Sequence, residues 1–438
     1  MSILSFFLSI ILGFWSPKKM GWFVLLTFPL FNAMYAVIVP TEFFPLTWLR
    51  FSFAITLGVF YSNFKRDIPV KYILKADIVK LLIVFNVYLL YLEIDGKLVS
   101  FFSSHLPGLF TCFVLPFILI KSKSDLHKLT KIFVWQGAII GFFIVIEIFT
   151  QFNPYNFFLV INQSIGDVNF VDEQFVRGGF IRVKGLAGHA VDTGYLLAFY
   201  FPLSIWYLST RTMVSKILFV FILIGSILIQ TRATYIAIVI SMAVYFIVMH
   251  NAGMLNKKIY IKKIATFIFS ILFLSFIASH FIPQILEIIN VNVISMFTEE
   301  KGFGISTKIN RLPIALGYII ANPFGYGSPD YIYEVIMNSD DLPAPLIYIL
   351  SGGVIMGLIY IKILWVLPKT IFNIAKNKIF HGEENEFLIL IGCAMVASSV
   401  VVLSNWREKH LLVSYILLIS VYKIYYLKIK DNPLIKKS

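Results

Sequence analysis

Apolar stretches of about 17–25 residues alternate with short polar connections along the whole chain, each long enough to cross roughly 30 Å of hydrocarbon as a helix. The pattern predicts spans at 21–39, 46–63, 77–93, 98–120, 129–150, 187–208, 213–229, 232–249, 263–282, 343–366, 386–404 and 410–428, about twelve in all. The expected fold is therefore all-α, a polytopic membrane protein forming one integral membrane domain over residues 1–438. Residues 1–15 are also apolar. No basic segment precedes them and Pro17-Lys18-Lys19 follows, so they read as a retained interfacial or partial helix rather than a signal peptide.

Placing Lys18, Lys19 and the short connections on the cytoplasmic side collects about 24 of the 37 Lys and Arg there, against about 10 opposite. Two long segments, 151–186 and 283–342, then face outward, and chemistry belongs on that side. Within the second, 311–321 reads as a short apolar helix beginning near Pro313 and lying along the membrane surface. Asn322-Pro323-Phe324-Gly325-Tyr326-Gly327 follows it with strong turn character.

Composition sharpens this picture in two ways. The chain is 59% hydrophobic and only 14% charged, where a soluble protein carries about 25%. The net charge of +14 is accounted for by lysines in the short connections, and no basic stripe on a soluble face indicates nucleic acid as a partner. Cys112 and Cys393 both lie inside apolar runs, which excludes a disulfide framework and a zinc site.

Ionisable residues within spans cost several kcal/mol and are functional candidates by default. Here they are Arg50, Glu147, His189, Asp192 and Arg232, all near the outer ends of their spans. Snorkelling to water is the plain alternative for Arg50 and Glu147. Arg232 lies in Gln230-Thr231-Arg232-Ala233-Thr234, a connection of a few residues that fixes the depth of a guanidinium suited to phosphate oxygens.

Arg177, Arg182 and Lys184 crowd the end of the first outer segment, with Gly178, Gly179, Gly185 and Gly188 around them. Cations on the outer side run against the inside bias, and flexible backbone beside them can approach an anion; the alternative is a solvated loop face. His189 suits proton transfer or a structural place at a helix start, and Asp192 shares its helical face. Arg311 heads the short outer helix. Asp340 and Asp341 precede the next span and are candidates for binding sugar hydroxyls or for a base, or simply a polar loop. A P-loop, His-Glu-x-x-His, Asp-x-Asp and Gly-x-Ser-x-Gly are all missing from the sequence, so no metal and no cofactor is expected.

Taken in order, these residues resemble the O-antigen polymerases, within the superfamily that also holds the O-antigen ligases. Arg182-x-x-Gly185, then Gly188-His189, opens a membrane helix that reaches Phe201-Pro202-Leu203. Arg177 and Gly188 reproduce an Arg, ten residues, Gly spacing of the first large periplasmic loop. Thr231-Arg232-Ala233 resembles a Ser/Thr-Arg-small motif. Arg311, the 322–327 turn and Gly352-Gly353 resemble the second large loop and its exit. The likeness covers roughly 140–365. Two departures stand out. Asp340-Asp341-Leu342-Pro343 replaces the His-Asn pair of ligases, which favours a polymerase, and Asn322 takes the glycine position counted from Arg311.

The resemblance implies a GT-C-like glycosyltransferase of the bacterial inner membrane, with 151–186 and 283–342 as its two large periplasmic loops. The donor and acceptor would be undecaprenyl-diphosphate-linked oligosaccharides, and a chain-length regulator protein is an expected partner besides the lipid bilayer. Arg182 and Arg232 would serve the diphosphates, and His189 with Asp192 the acceptor proton. Arg177, Lys184, Arg311, Asp340, Asp341, Glu147 and Arg50 would bind substrate. An O-antigen ligase, a lipid-linked oligosaccharide flippase and a scaffold subunit are the rival readings.

Overall fold

The computed structural model describes residues 2–28, 37–39, 46–63, 77–94, 101–150, 176–177, 180–181, 183, 185–186, 190–229, 231–253, 305–329, 332, 343–376, 382–404 and 409–431. Apart from two short ribbons the described chain is helical. The helices are α1 (Ser2–Trp15), α2 (Pro17–Thr27), α3 (Trp48–Asn63), α4 (Asp77–Leu92), α5 (Leu106–Leu119), α6 (Lys123–Thr150) and α7 (Ala190–Leu208). They continue as α8 (Met213–Leu228), α9 (Arg232–Asn251), α10 (Ile305–Ala321), α11 (Ala344–Lys376), α12 (Glu383–Ser404) and α13 (Lys409–Asp431). Strand β1 (Val37–Val39) pairs with β2 (Leu46–Thr47), and β3 (Val176–Arg177) with β4 (Phe180–Ile181), both antiparallel.

Four helices, Lys123–Thr150, Ala233–Asn251, Ala344–Lys376 and Glu383–Leu403, are long and apolar enough to cross a membrane. A fifth span arises if Ile3–Trp15 and Pro17–Thr27, bent by 119° at their junction, count as one. Leu106–Leu119, Met213–Leu228, Leu312–Ala321 and Leu411–Ile424 are apolar but shorter. A helix of 16 residues, such as α8, rises about 24 Å, so it spans the hydrocarbon only with help from its flanking residues or a thinner bilayer.

The structure departs from the sequence pattern at specific places. Within the span expected at 21–39 the described residues form a helix to Thr27 and a strand at Val37–Val39. The span at 98–120 begins with a π-turn, Phe101–His105, ahead of α5. The helix expected to start near Pro313 starts at Ile305 and carries Pro313 inside it, so Arg311 does not head it. Ala315 and Ile319 of α10 pack with Ile347 and Leu350 of α11, while Leu312, Leu316, Ile320 and then Phe324 are exposed. The expected span at 263–282 lies outside the described residues.

Main-chain contact at small residues draws the centre together. A Cβ on Gly141 of α6 would collide with Phe221 O of α8, and Gly225 of α8 faces Gly141 directly. Gln136, buried in α6, donates to Leu25 O at 3.1 Å and accepts from Tyr200 Oη at 3.0 Å. That single amide ties α2, α6 and α7 where unsatisfied polar groups are most costly. Tyr195, Ser398 and Ser414 similarly link α7, α12 and α13, with hydroxyl separations of 2.6–3.4 Å.

The bundle has two distinguishable ends. At one, Lys123 pairs with Glu384, Tyr245 Oη donates to Glu386 at 2.6 Å, and the His127 ring sits against Trp206 and Phe387. The opposite end gathers the finish of α6 and the starts of α7 and α9, and with them Glu147, Asp192 and the main chain at Arg232.

Candidate functional site

At that second end the turn at Gly185 and Leu186 is fastened to the bundle. Glu147, buried near the end of α6, accepts the Gly185 N–H on Oε2 at 2.9 Å. Gly185 lies in the left-handed region with φ +63°, and a Cβ there would clash with Thr193 in the first turn of α7. Val183 and Leu186 are buried on either side. The exit of the segment is thus held between α6 and α7. Glu147 is satisfied by a backbone donor, which makes it an organiser of this turn.

The β3–β4 ribbon precedes the fastening. Its register pairs Arg177 with Phe180 and leaves Gly178-Gly179 as the connecting residues, a composition suited to a two-residue hairpin turn. Arg177 lies in β3, Arg232 opens α9 and Arg311 falls within α10.

Helices α7 and α9 begin side by side. Thr231, the residue before α9, donates from Oγ1 to Ala190 O at 3.2 Å, the first residue of α7. A Cβ on Gly194 would collide with Thr234 Oγ1, so the two first turns touch. Tyr235 Oη reaches back to Ile227 O at 2.6 Å and closes the short α8–α9 connection. Arg232 therefore enters as the first residue of a helix whose start is fixed against another helix start. Two adjacent helix N-termini bring the positive ends of two dipoles together, a setting that favours an anion. Asp192, buried in the first turn of α7, occupies the position where a carboxylate complements the dipole.

Glu147, Asp192 and the main chain at Arg232 thus converge, through Gly185, Ala190 and Thr231. Arg50 does not join them by the same route. It lies in the first turn of α3, its N–H donating to Thr47 Oγ1 at 3.3 Å, and α3 packs chiefly on α1, α5 and α2. Arg182, Lys184, His189, Asp340 and Asp341 lie outside the described residues, although Arg182 and Lys184 flank Val183 in sequence.

A second polar cluster was not anticipated from the sequence. Glu93, just past the end of α4, is buried and accepts from Ser328 Oγ at 3.1 Å. One turn earlier Tyr88 Oη donates to Gly352 O at 2.7 Å, at an interruption of α11. In the sequence Glu93 closes an apolar run and looks like an interfacial residue; only the long-range contact with Ser328 distinguishes it.

Comparison with protein-family models and with curated proteins finds no match for the chain.

Proposed function

We propose that the protein is a metal-independent membrane glycosyltransferase of the O-antigen polymerase kind. On this reading it transfers a growing glycan from undecaprenyl diphosphate to an undecaprenyl-diphosphate-linked repeat unit. The observation that carries the proposal is the joined start of α7 and α9. Thr231 holds the residue before Arg232 on Ala190, and Glu147 holds the exit of the Arg177–Lys184 segment beside them. An anionic headgroup at the membrane boundary is the ligand such an arrangement suits.

In the reaction, an acceptor sugar hydroxyl attacks the donor's anomeric carbon. The bond from that carbon to the diphosphate oxygen breaks, and its electron pair leaves with the lipid diphosphate. Charge growing on that oxygen is stabilised by Arg232 and Arg182, with the positive ends of the two helix dipoles behind them, and Arg177, Lys184 and Arg311 add attraction. One such fixed donor commonly contributes a factor of about 10²–10³ in rate. His189 takes the acceptor proton, oriented by Asp192. Asp340 and Asp341 bind sugar hydroxyls.

The same reading completes the topology. The shorter apolar helices also cross, giving about twelve spans in a GT-C-like arrangement in the bacterial inner membrane. Residues 151–186 and 283–342 are periplasmic, and a chain-length regulator docks from that side.

The reading is tested in a deletion strain carrying wild type, Arg182→Ala or empty vector, by lipopolysaccharide gel with lipid-linked glycan extracted in parallel. Core plus one repeat in the empty-vector strain, returned to a ladder by wild type alone, is the expected result. Bare core with long glycan on undecaprenyl diphosphate would make the protein a ligase. Bare core with single lipid-linked repeats would make it a flippase.

A further inference from the structure

Helix α11 is two half-helices. At Gly352 the backbone leaves helical geometry (φ −113°, ψ 17°), and Gly353 sits at φ 77°, ψ 179°, a region open in practice to glycine alone. A break within an apolar helix strands main-chain groups, and inside a membrane these must find partners. Here residues 323–328, following α10, supply them. Tyr326 N–H donates to Leu350 O at 2.7 Å and Gly327 N–H to Ser351 O at 3.0 Å. In return Val354 N–H donates to Pro323 O at 3.3 Å. Tyr88 caps Gly352 O, and Glu93 holds Ser328.

The groups used by the turn are the ones a continuous helix would use itself. Leu350 O and Val354 N–H are four residues apart, as are Ser351 O and Ile355 N–H, the α-helical spacing. Straightening the helix as the turn withdraws therefore strands none of the helix's own main-chain groups, while Tyr326 N–H, Gly327 N–H and Pro323 O of the turn pass to water. Gly352 and Gly353 accept both geometries. Seated, the turn fits closely: a Cβ on Gly325 would collide with Ser351 O, and one on Gly353 with Pro323 O.

We propose that residues 322–328 form a latch on a hinge at Gly352–Gly353, and that α11 has a second, straight state from which the latch is withdrawn. Glu93 and Tyr88 of the α4 end are the fixed post on which the latch closes. Opening parts residues 322–328 from α4 and α11. If the glycosyl-transfer reading above holds, on which this last step rests, the opening admits or releases a bilayer-borne glycan between them.

Two measurements test the hinge on the full-length protein in membranes. Spin labels at Phe324→Cys and Ile361→Cys, both exposed positions, report the distance across the break; Cys112 and Cys393 are buried and do not compete. Two distance populations are expected, the seated one dominant. Gly353→Ala, which resists the left-handed conformation and favours a continuous helix, raises the withdrawn population by roughly tenfold or more. Should Gly353→Ala fail to insert, the pair Glu93→Gln/Ser328→Ala removes the clamp without touching the break and shifts the populations the same way. A single distance unmoved by either variant overturns the proposal. Secondly, Phe324→Cys/Val354→Cys is oxidised to hold the latch shut. Glycan transfer is expected to fall by roughly tenfold or more and to return on reduction; an oxidised protein at full rate overturns the gating role. Two populations in a protein without transfer activity keep the hinge and remove the glycosyltransferase reading, whereas an active protein with one population does the reverse.

Discussion

Glu147 Oε2 and the Gly185 N–H meet at 2.9 Å, joining the end of α6 to the exit of a segment 38 residues further along the chain. The bond is buried, so neither partner has water as a substitute. Everything proposed for the arginine-bearing segment depends on where this bond sets its exit.

Glu147→Ala leaves the Gly185 N–H without its acceptor, at a cost of about 1–3 kcal/mol, and frees the segment exit. The expected outcome is a protein that inserts normally but unfolds at lower temperature in detergent and transfers glycan more than about tenfold slower. Glu147→Gln retains an acceptor oxygen and recovers most of the stability. Thermal unfolding and transfer rate measured on the same preparations check both halves.

The contact between the starts of α7 and α9 offers a sharper test. Gly194→Ala drives a methyl into Thr234 Oγ1 and is expected to cost about 1–3 kcal/mol as overpacking. Thr234 Oγ1 is buried without a hydrogen-bond partner, so Thr234→Ala alone is close to neutral. Combined, the two are expected to restore stability and rate together. A double-mutant cycle with no coupling would mean that the helix starts are not in contact.

Much of the helical framework was legible in the apolar pattern. Predicted spans 77–93, 213–229, 232–249 and 386–404 coincide closely with Asp77–Leu92, Met213–Leu228, Arg232–Asn251 and Glu383–Ser404. Hydropathy failed where something other than apolarity sets the boundary. Helix α6 begins at Lys123, six residues before its apolar run, because Ser122 and Asp125 organise a polar first turn: Asp125 Oδ2 accepts from the Lys121 and Ser122 N–H groups at 3.0 Å. The helix-end positions of Glu147, Asp192 and Arg232 were readable as ionisable groups in apolar runs. Their linkage was not, since it runs through the main chain at Gly185 and Ala190, which carries no sequence signal. Gly352-Gly353 stands out in the sequence, but the break there does not, because its partners are backbone atoms of residues 323–327.

At the far end of the bundle, Lys123 and Glu384 form a half-exposed ion pair. Such pairs contribute about 0–1 kcal/mol, so Lys123→Ala is expected to change stability little. On the proposed reading the chemistry lies at the opposite end, so transfer rate is expected to remain within about twofold of wild type. A large loss of rate at unchanged expression would move functional weight to the Lys123 end.

The most direct measurement is single-turnover transfer by purified Arg232→Ala and Arg232→Lys with an undecaprenyl-diphosphate-linked oligosaccharide as donor and acceptor. The account predicts a fall of about 10²–10³-fold for Arg232→Ala at unchanged thermal stability. Arg232→Lys should recover little, because an ammonium cannot reproduce a two-pronged contact with phosphate oxygens. Wild-type rate and product length in Arg232→Ala would contradict the account, and leave the joined start of α7 and α9 as packing alone.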